Sequence, residues 1–187
     1  MAILKIARMG HPVLLLRAAA VVDPKAPEIA QLIENMAETL EDAGGVGLAA
    51  PQVHESLRLF IYKVPGARAD EGEDEVPLSA VINPEITPLS DEITMGWEGC
   101  LSIPGLRAAV PRYERIRLSG YNAAGDAFAS EISGFHARVV QHETDHLNGI
   151  LYPMRMSDFR YFGFTEETMK YDFPLPKVQL QQEPVNE

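Results

Sequence analysis

Apolar side chains recur at helical spacing in the segment that follows Pro27. Spacings of three and four residues place such side chains on one face of a helix. Two consecutive glycines, Gly44 and Gly45, end the pattern. We therefore predict an amphipathic helix from Pro27 to the glycine pair. Its apolar face comprises Ile29, Leu32, Ile33, Met36 and Leu40.

Three further segments have the composition of β-strands, being rich in β-branched and other apolar residues. They are Leu57–Lys63, Arg115–Asn122 and, after a turn with the sequence AAGD, Ala127–Ile132. The stretch PGARADEGEDEVP, within residues 64–77, is acidic and contains Pro and Gly. Such a composition predicts a solvated loop. We expect short strands around two helices.

The second helix is predicted between Ser133, a suitable N-cap, and Gly149, which suits the left-handed position after a helix. At about 100° per residue, three ionisable side chains fall on its apolar arc. The ionisable residues are His142, Glu143 and His146, and the apolar ones are Phe135, Val139, Val140 and Leu147. The opposite side carries Gln141, Thr144, Asp145 and Asn148. We expect that side to face solvent or polar neighbours.

The composition favours one globular domain. A chain of 187 residues, 46% of them hydrophobic, can form one core and leaves little room for a second. The segment from Pro174 onward is rich in Pro, Gln and Glu, which is typical of poor order. We predict one domain over residues 1–165 and a partly disordered C-terminal extension over residues 166–187.

The charge narrows the class of partner. A formal net charge of -11 and a pI near 4.9 oppose a nucleic-acid site or an anionic membrane surface as the main partner. A small-molecule or peptide site fits better. No segment reaches the roughly 20 apolar residues that would span a bilayer. The single cysteine, Cys100, cannot form an internal disulfide, so we expect a cytosolic, reducing environment.

The sequence QHETDHLNG contains the motif His-Glu-x-x-His. Its two histidines share one face of the predicted helix, as two ligands of one metal ion must. A structural interpretation is also open, with His142 and His146 as core histidines and Glu143 as the partner of a buried cation. A buried carboxylate is costly unless it is paired. A metal ion would supply the cation without another residue, and we therefore favour metal binding.

Three positions are candidates for a third metal ligand. In the metzincin pattern a third histidine follows, but Tyr152 occupies its position here. A thermolysin-like site would use a downstream glutamate, Glu166 or Glu167. The remaining candidate is Cys100 in WEGCLSIPG, because a thiolate is a stronger ligand than a carboxylate. A lone cysteine is otherwise a buried packing residue, so the choice depends on the flanking sequence.

Three blocks of sequence resemble those of the peptide deformylase family, in the same order. They are GVGLAAPQ (Gly45–Gln52), EGCLS (Glu98–Ser102) and QHETDHLNG (Gln141–Gly149). The resemblance extends through RMGHPVL and IPGLRAAVPRYERI and covers roughly residues 3–158. The run GFHARVVQHE is more similar to the organelle-type branch of the family than to some bacterial members. Nothing beyond Phe159 resembles a segment that we can place.

The resemblance implies a metal centre. It makes Cys100, His142 and His146 the metal ligands and Glu143 the catalytic acid and base. The implied metal is one ferrous ion per chain, which zinc, nickel or cobalt can replace. Three protein ligands leave a position for water, as hydrolysis requires. A structural zinc normally has four protein ligands, and no fourth is evident, which argues against a purely structural metal.

The resemblance also implies how substrate is held. It places an oxyanion near the side-chain amide of Gln52 and the backbone N–H of Leu101, and makes Gly47 a backbone partner of the substrate methionine. Either Glu98 or Arg107 could contact substrate, or could form an ion pair that holds the cysteine loop, and we favour the structural role. The candidate substrate-binding residues are Gly45, Val46, Gly47, Glu98, Gly99 and Arg138.

The implied fold is α+β, with mixed, mainly antiparallel sheets around a central helix that carries the His-Glu-x-x-His motif. Residues 1–165 would be the catalytic domain. The implied activity is metal-dependent hydrolysis of the formyl group from N-formylmethionine of nascent polypeptides, releasing formate. Expected partners are formylmethionyl nascent peptides and, transiently, the ribosome, with no direct nucleic-acid site and no membrane. The expected location is the bacterial cytoplasm.

Overall fold

The computed structural model describes residues 2–68, 75–171 and 174–175. Helices α1, α2 and α3 are Pro27–Ala43, Gly134–Leu147 and Thr165–Thr168. Strands β1 to β4 are Gly47–Ala49, Leu59–Val64, Val76–Pro88 and Ile93–Cys100. Strands β5 to β8 are Ile103–Tyr113, Arg115–Tyr121, Ala127–Ser133 and Phe162–Phe164. Together these elements confirm the predicted α+β class.

Five strands form one antiparallel sheet in the order β1-β2-β3-β6-β7. The side chains of β2 alternate between its two faces. Phe60 and Tyr62 pack in the same core as α2, whereas Leu59 and Ile61 pack in the core that contains α1 residues. The two long helices therefore lie on opposite faces of this sheet. Strand β1 is at the sheet edge and begins one residue after the glycine pair that ends α1.

The other three strands form a second antiparallel sheet in the order β4-β5-β8. The pairing of β4 with β5 is regular up to Gly99, which faces Arg107, and then shifts so that Cys100 faces Ile103. The chain therefore reverses direction tightly just after the cysteine. This sheet packs on a separate core that includes Leu14, Val110 and Leu151.

Helix α2 connects the two sheets and is buried from Ala137 to Leu147. Ser133 is its N-cap, as predicted, although its side chain makes no capping hydrogen bond. Gly149 has a φ of 72°, and a Cβ there would approach the carbonyl oxygen of Leu15 to 2.6 Å. Glycine therefore suits both the left-handed backbone and the close contact at this position.

The polar side of α2 faces polar neighbours rather than solvent. Asp145 accepts hydrogen bonds from Arg112 and Arg155. Gln141 bonds the backbone of Tyr113 through both ends of its amide. Both side chains are buried. The second sheet and the loop after the helix thus satisfy Gln141 and Asp145, whereas Thr144 Oγ1 is buried without a partner among the described residues and Asn148 is exposed.

The predicted helices and strands all exist, with ends within about two residues of the prediction, the usual uncertainty of such boundaries. The sequence did not predict strands β1, β3, β4, β5 and β8. Residues 64–77 are not a loop throughout, since Val64 ends β2 and Val76 begins β3. Residues 69–74, the acidic part of that segment, and residues 172–173 and 176–187 of the predicted extension lie outside the described residues.

The proposed boundary between residues 165 and 166 falls within α3. The division into a domain and an extension stays a prediction, because most of the extension lies outside the described residues. Among the helices that the structure describes, none combines the length and apolar character needed to cross a membrane.

Candidate metal centre

Three potential metal ligands converge from two elements. Cys100 ends β4, whereas His142 and His146 lie one turn apart on the buried face of α2. The ligand atoms of all three residues lie within 4.8 Å of one another. Cys100 Sγ is 3.2 Å from His146 Nε2. The structure therefore brings together the three residues that the resemblance implied.

The donor set of this cluster fits a transition-metal ion. One sulfur and two imidazole nitrogens suit zinc and iron, whereas calcium and magnesium prefer oxygen ligands. Burial opposes ionisation of Cys100, but the neighbouring imidazoles of His146 and His142 outweigh burial and hold the pKa of the thiol well below its ordinary value. A thiolate is the form that binds metal. Within the described part of the chain, no other group of His, Cys, Asp and Glu residues has this geometry.

A buried carboxylate fixes the orientation of His142. Glu98 Oε2 is 2.9 Å from His142 Nδ1, which leaves Nε2 of the ring available for a metal. Arg112 donates two hydrogen bonds of 2.9 Å to the same carboxylate, and Arg138 donates a third of 3.1 Å. Burial opposes ionisation of Glu98, but the bonds from Arg112 and His142 outweigh it and hold its pKa well below the ordinary range. Glu98 is therefore a charged, fully paired support for the histidine.

Arg112 extends this network to the far side of α2. Its guanidinium lies between Glu98 and Asp145, and all three side chains are at most 7% exposed. Arg155 pairs with Asp145 from the other side, at 2.7 Å. Sequence reasoning did not assign Arg112 or Asp145 a role. The only signal for such a pairing was the carboxylate of Asp145 on the polar side of this helix, since a carboxylate that becomes buried there needs a cationic partner.

Glu143 lies in a different environment from Glu98. It is 4% exposed, and no hydrogen-bond partner reaches its Oε2 atom among the described residues. Burial raises the pKa of Glu143 to about 7. No arginine or lysine pairs with it in the described chain, so the structural interpretation of Glu143 as an ion-pair partner is wrong. A carboxyl group with a pKa near neutrality is suited to accept and return a proton.

Gln52 is held in one orientation by its neighbours. Its Oε1 accepts a hydrogen bond of 2.8 Å from the backbone N–H of Ala49. Because the carbonyl end is thus engaged, the amide nitrogen faces Ser102 Oγ at 3.1 Å and Cys100 Sγ at 3.4 Å. Gln52 is 1% exposed. The side-chain amide therefore presents N–H groups towards the cluster.

The cluster opens into a cavity of about 660 Å³. The residues predicted to be catalytic, to ligate metal or to bind substrate all line it, except for His146, which is 1% exposed. Those that line it are Gly45, Val46, Gly47, Gln52, Glu98, Gly99, Cys100, Leu101, Arg138, His142 and Glu143. Sequence reasoning missed further lining residues, among them Trp97, Phe135, Thr165 and Met169.

Two glycines of the first block are required by close packing. A Cβ on Gly47 would collide with the carboxylate of Glu143 and would lie 2.6 Å from its Cδ atom. A Cβ on Gly45 would lie 2.8 Å from a methyl carbon of Leu40 and 3.0 Å from one of Leu101. The absence of side chains at these positions lets the backbone of the cavity wall approach the reactive residues directly.

The alternative third ligands lie elsewhere. Tyr152 stacks on the ring of His142, with centroids 6.1 Å apart, and its hydroxyl finds no partner among the described residues. Glu166 and Glu167 are exposed on α3, where Glu167 pairs with Lys170. Neither glutamate belongs to the cluster. The structure thus excludes the metzincin and thermolysin patterns.

Arg107 does not pair with Glu98, whereas Arg138 lies at the cavity where a substrate-binding residue was expected. Arg107 donates to the side chain and the carbonyl group of Thr168, at 2.6 and 3.0 Å, and not to Glu98. Arg138 donates to Glu98 and to the backbone oxygens of Val110 and Thr94. It borders the cavity, but its guanidinium is occupied by β4 and β5.

Comparison with known proteins agrees with this arrangement. The sequence profile of the family described as Polypeptide deformylase matches residues 3–161. Peptide deformylase 1 of Bordetella pertussis is 52% identical over 161 residues, which is 86% of this chain and 92% of the relative. Because this relative is bacterial, the likeness to the organelle-type branch stays a prediction.

Two solved structures illustrate the likeness of fold. A class I type b peptide deformylase from Acinetobacter baumannii, with Met-Ala-Ser bound, is 38% identical and has a TM-score of 0.76, covering 82% of this chain and 98% of that one. A peptide deformylase from Ehrlichia chaffeensis in complex with actinonin is 33% identical, with a TM-score of 0.78, covering 86% and 92%. The chain therefore belongs to the polypeptide deformylase family.

Proposed function

We propose that this peptide deformylase removes the formyl group from N-formylmethionine at the start of nascent polypeptides, with Cys100, His142 and His146 as the ligands of its catalytic metal ion. Membership of the family supports the proposed reaction. One observation carries the assignment of residues: a thiol and two imidazoles converge beside a buried, unpaired carboxyl group at the floor of one cavity. When bound, the ion supplies Lewis acidity, which makes a water-derived nucleophile available near neutral pH.

Glu143 is proposed to move the proton. It accepts a proton from the attacking water and delivers it to the nitrogen of the leaving amine, so one carboxyl group serves both steps. Its burial supports this role, because burial raises its pKa towards neutrality and no arginine among the described residues pairs with it. The reaction consumes one water and yields formate and a peptide with a free amino group.

Gln52 and Leu101 are proposed to stabilise the oxyanion that forms on the formyl carbon. The bond from Ala49 to Gln52 Oε1 fixes the amide, so that its nitrogen, 3.1 Å from Ser102 Oγ and 3.4 Å from Cys100 Sγ, faces the cluster before substrate arrives. Such preorganised donors stabilise developing negative charge without reorganisation at the moment of reaction. The backbone N–H of Leu101 is the second proposed donor, and Leu101 lines the same cavity directly after Cys100.

The substrate backbone is proposed to pair with the edge of β1. Gly47 pairs with Tyr62 on one side only, and β1 ends its sheet, so the other edge is suited to an extended peptide. Val46 and Gly45 continue that edge along the cavity. Gly99 and Arg138 line the same cavity, where they and the paired Glu98 shape the space for the methionine side chain. The A. baumannii neighbour binds the tripeptide Met-Ala-Ser, which supports this substrate class.

We propose ferrous iron as the metal, with zinc, nickel or cobalt able to replace it. The mixed sulfur and nitrogen donor set accommodates each of these ions. The test is to prepare metal-free protein, load it with each ion without oxygen, and measure metal content and formate release from formyl-Met-Ala-Ser. The result expected is one ion per chain and activity that depends on it.

Matched variants of the same protein test the ligand set. Cys100→Ser should bind the metal more weakly than the wild type, because a serine hydroxyl is a poor ligand at neutral pH. Glu167→Gln, a substitution at an excluded ligand position, is the control and should bind as the wild type does. Full occupancy with no formate release would instead favour a structural metal, and cleavage of unformylated peptides would favour a metallopeptidase.

We further propose action in the cytoplasm, with transient contact at the ribosome, because formylmethionyl chains emerge there. A sedimentation assay with purified ribosomes would test the contact. The net charge of -11 makes an extended electrostatic attachment to RNA unfavourable. We therefore expect any binding to be weak.

A further inference from the structure

One wall of the substrate cavity comes from beyond the part of the chain that the family profile matches. Thr165 and Met169, in and directly after α3, line the same cavity as Cys100 and Glu143, whereas the profile match ends at residue 161. We propose that Met169 contacts the apolar side chains of the peptide substrate that follow its methionine. This inference rests on the proposed function and deepens it. We call Thr165 and Met169, together with Thr168 between them, the α3 wall; Thr168 itself does not line the cavity.

The α3 wall is held against the second sheet by specific contacts. Strand β8, which leads into α3, pairs with β5, so that Leu106 faces Phe164 and Arg107 faces Gly163. Arg107 of β5 also donates through Nε to Thr168 Oγ1 at 2.6 Å and through Nη2 to the carbonyl oxygen of Thr168 at 3.0 Å. A short helix is not stable alone, so these contacts determine its position.

Arg107 is itself fixed by an aromatic ring. Its guanidinium lies over the ring of Trp97, 4.4 Å from the centroid, and both residues line the cavity. Trp97, Arg107 and Thr168 thus form a stack that runs from β4 to α3. Met169 directly follows the last member of the stack and borders the cavity.

The exposure of Met169 indicates what covers it. The residue is 69% exposed, although it lines a cavity, whereas Glu143 at the floor is 4% exposed. The first residue of the peptide must occupy the floor, beside Gly47, for its formyl group to reach Glu143. Only the following residues of the peptide remain for the rim. A methionine side chain is flexible and polarisable, and it adapts to apolar partners of different shape.

This placement predicts a role in selectivity and not in chemistry. Met169 is a rim residue, separate from the reacting atoms, so its contact should lower KM for peptides long enough to reach it and leave kcat unchanged. Arg107 and Thr168 act as positioning residues for that contact. The KM of a substrate with one residue should not depend on the α3 wall, because that substrate does not reach it.

The experiment compares Met169→Ala with wild-type protein on formylmethionine amide and on formyl-Met-Leu-Leu. We expect Met169→Ala to raise KM for the tripeptide roughly fivefold, a modest loss that fits a partly exposed apolar contact, with kcat unchanged and no change on the amide. Thr168→Val keeps the shape of the side chain and removes the hydroxyl, which accepts from Arg107 and donates to the carbonyl oxygens of Phe164 and Thr165. It should raise KM for the tripeptide by a smaller factor, because the carbonyl group of Thr168 still accepts from Arg107.

The matched control is Met154→Ala, at a methionine that is 57% exposed and outside this cavity. It should leave both substrates unaffected. Formate release by the wild type from both substrates first establishes the proposed function, and its absence would defeat that function separately. If the wild type is active, equal losses on both substrates by Met169→Ala, or no change on either, overturn the inference.

Discussion

The buried carboxylate of Glu98 makes the strongest quantitative prediction. Replacing it by glutamine keeps the size and shape of the side chain but removes one negative charge. The carboxylate accepts from Arg112 at both oxygens and from Arg138 at one, and it lies 2.9 Å from His142 Nδ1. A glutamine offers one acceptor oxygen, and its NH2 group would face another donor.

The cost follows from burial of the partners. Arg112 and Glu98 are 5% and 4% exposed, so water cannot replace the lost interaction. Removing one partner of a buried ion pair costs about 3–5 kcal/mol. For a domain of this size that cost corresponds to a fall in Tm of roughly 6–20 °C. Because His142 also loses its orienting partner, metal affinity should fall by about 10–100-fold.

Urea unfolding of metal-free protein measures the loss of stability separately from the loss of metal affinity. Fluorescence of Trp97, the sole tryptophan and the neighbour of Glu98, reports the transition. Competition with a chelator then gives the change in metal affinity. The control is Glu131→Gln, because Glu131 pairs with Arg117 at 3.0 Å but is 51% exposed. Exposed ion pairs contribute about 0–1 kcal/mol, so the control should differ little from wild type.

Equal, small effects of the two substitutions would refute the reasoning. A cost below about 1 kcal/mol for Glu98→Gln would mean that the buried arginines do not require a charged partner at position 98. Unchanged metal affinity despite a large loss of stability would show that Glu98 supports the fold but does not orient His142.

Three further predictions concern the same site. Glu143→Gln should retain the metal and lose activity by about 10²-fold or more, because both proton transfers fail. Metal analysis and formate release of the same preparation check this, and loss of the metal would contradict the assignment. Gly47→Ala should lower kcat roughly tenfold or more, because its Cβ displaces the carboxylate of Glu143. Gly66→Ala is its control, since the nearest atom to a Cβ there is 3.6 Å away, and similar losses of formate release in both variants would count against the collision. The pKa of Glu98 is lower in the folded state than in the unfolded chain. Its ionised form therefore contributes its full stabilisation above the ordinary carboxyl pKa of about 4.3. That stabilisation is lost as the pH falls from there towards the lowered pKa. The difference in urea midpoint between wild type and Glu98→Gln should therefore stay constant near neutral pH and narrow in acid, and a difference that widens in acid would contradict this sign.

The sequence predicted α2 and its ionisable arc correctly because helical periodicity is local. His142 and His146 are separated by one turn, so their common face follows from helix geometry alone. Cys100 lies 42 residues before His142 in the sequence, and only the likeness of its flanking residues to those of a family identified it. The resemblance therefore supplied the ligand that geometry along one helix could not.

The supporting network could not be predicted because it depends on strand register. Glu98 faces Ala108 across β4 and β5, and Arg112 reaches it from four residues further along the same face of β5. A shift of one residue would turn Arg112 to the other face. The pairing of β5 with the three-residue strand β8 has no periodicity of its own to detect, so the position of Met169 beside the cavity was also beyond sequence reasoning.

The different origins of the three sulfur and nitrogen donors have a consequence for engineering. The two imidazoles lie on one helix that is enclosed on both sides, so one helical turn fixes the distance between them. The third stands at a strand end where pairing shifts between Gly99 and Cys100. Ions of different radius must therefore be accommodated by adjusting the sulfur side. Libraries that aim to retune metal preference should vary the tight reversal after the cysteine and leave the helix unchanged.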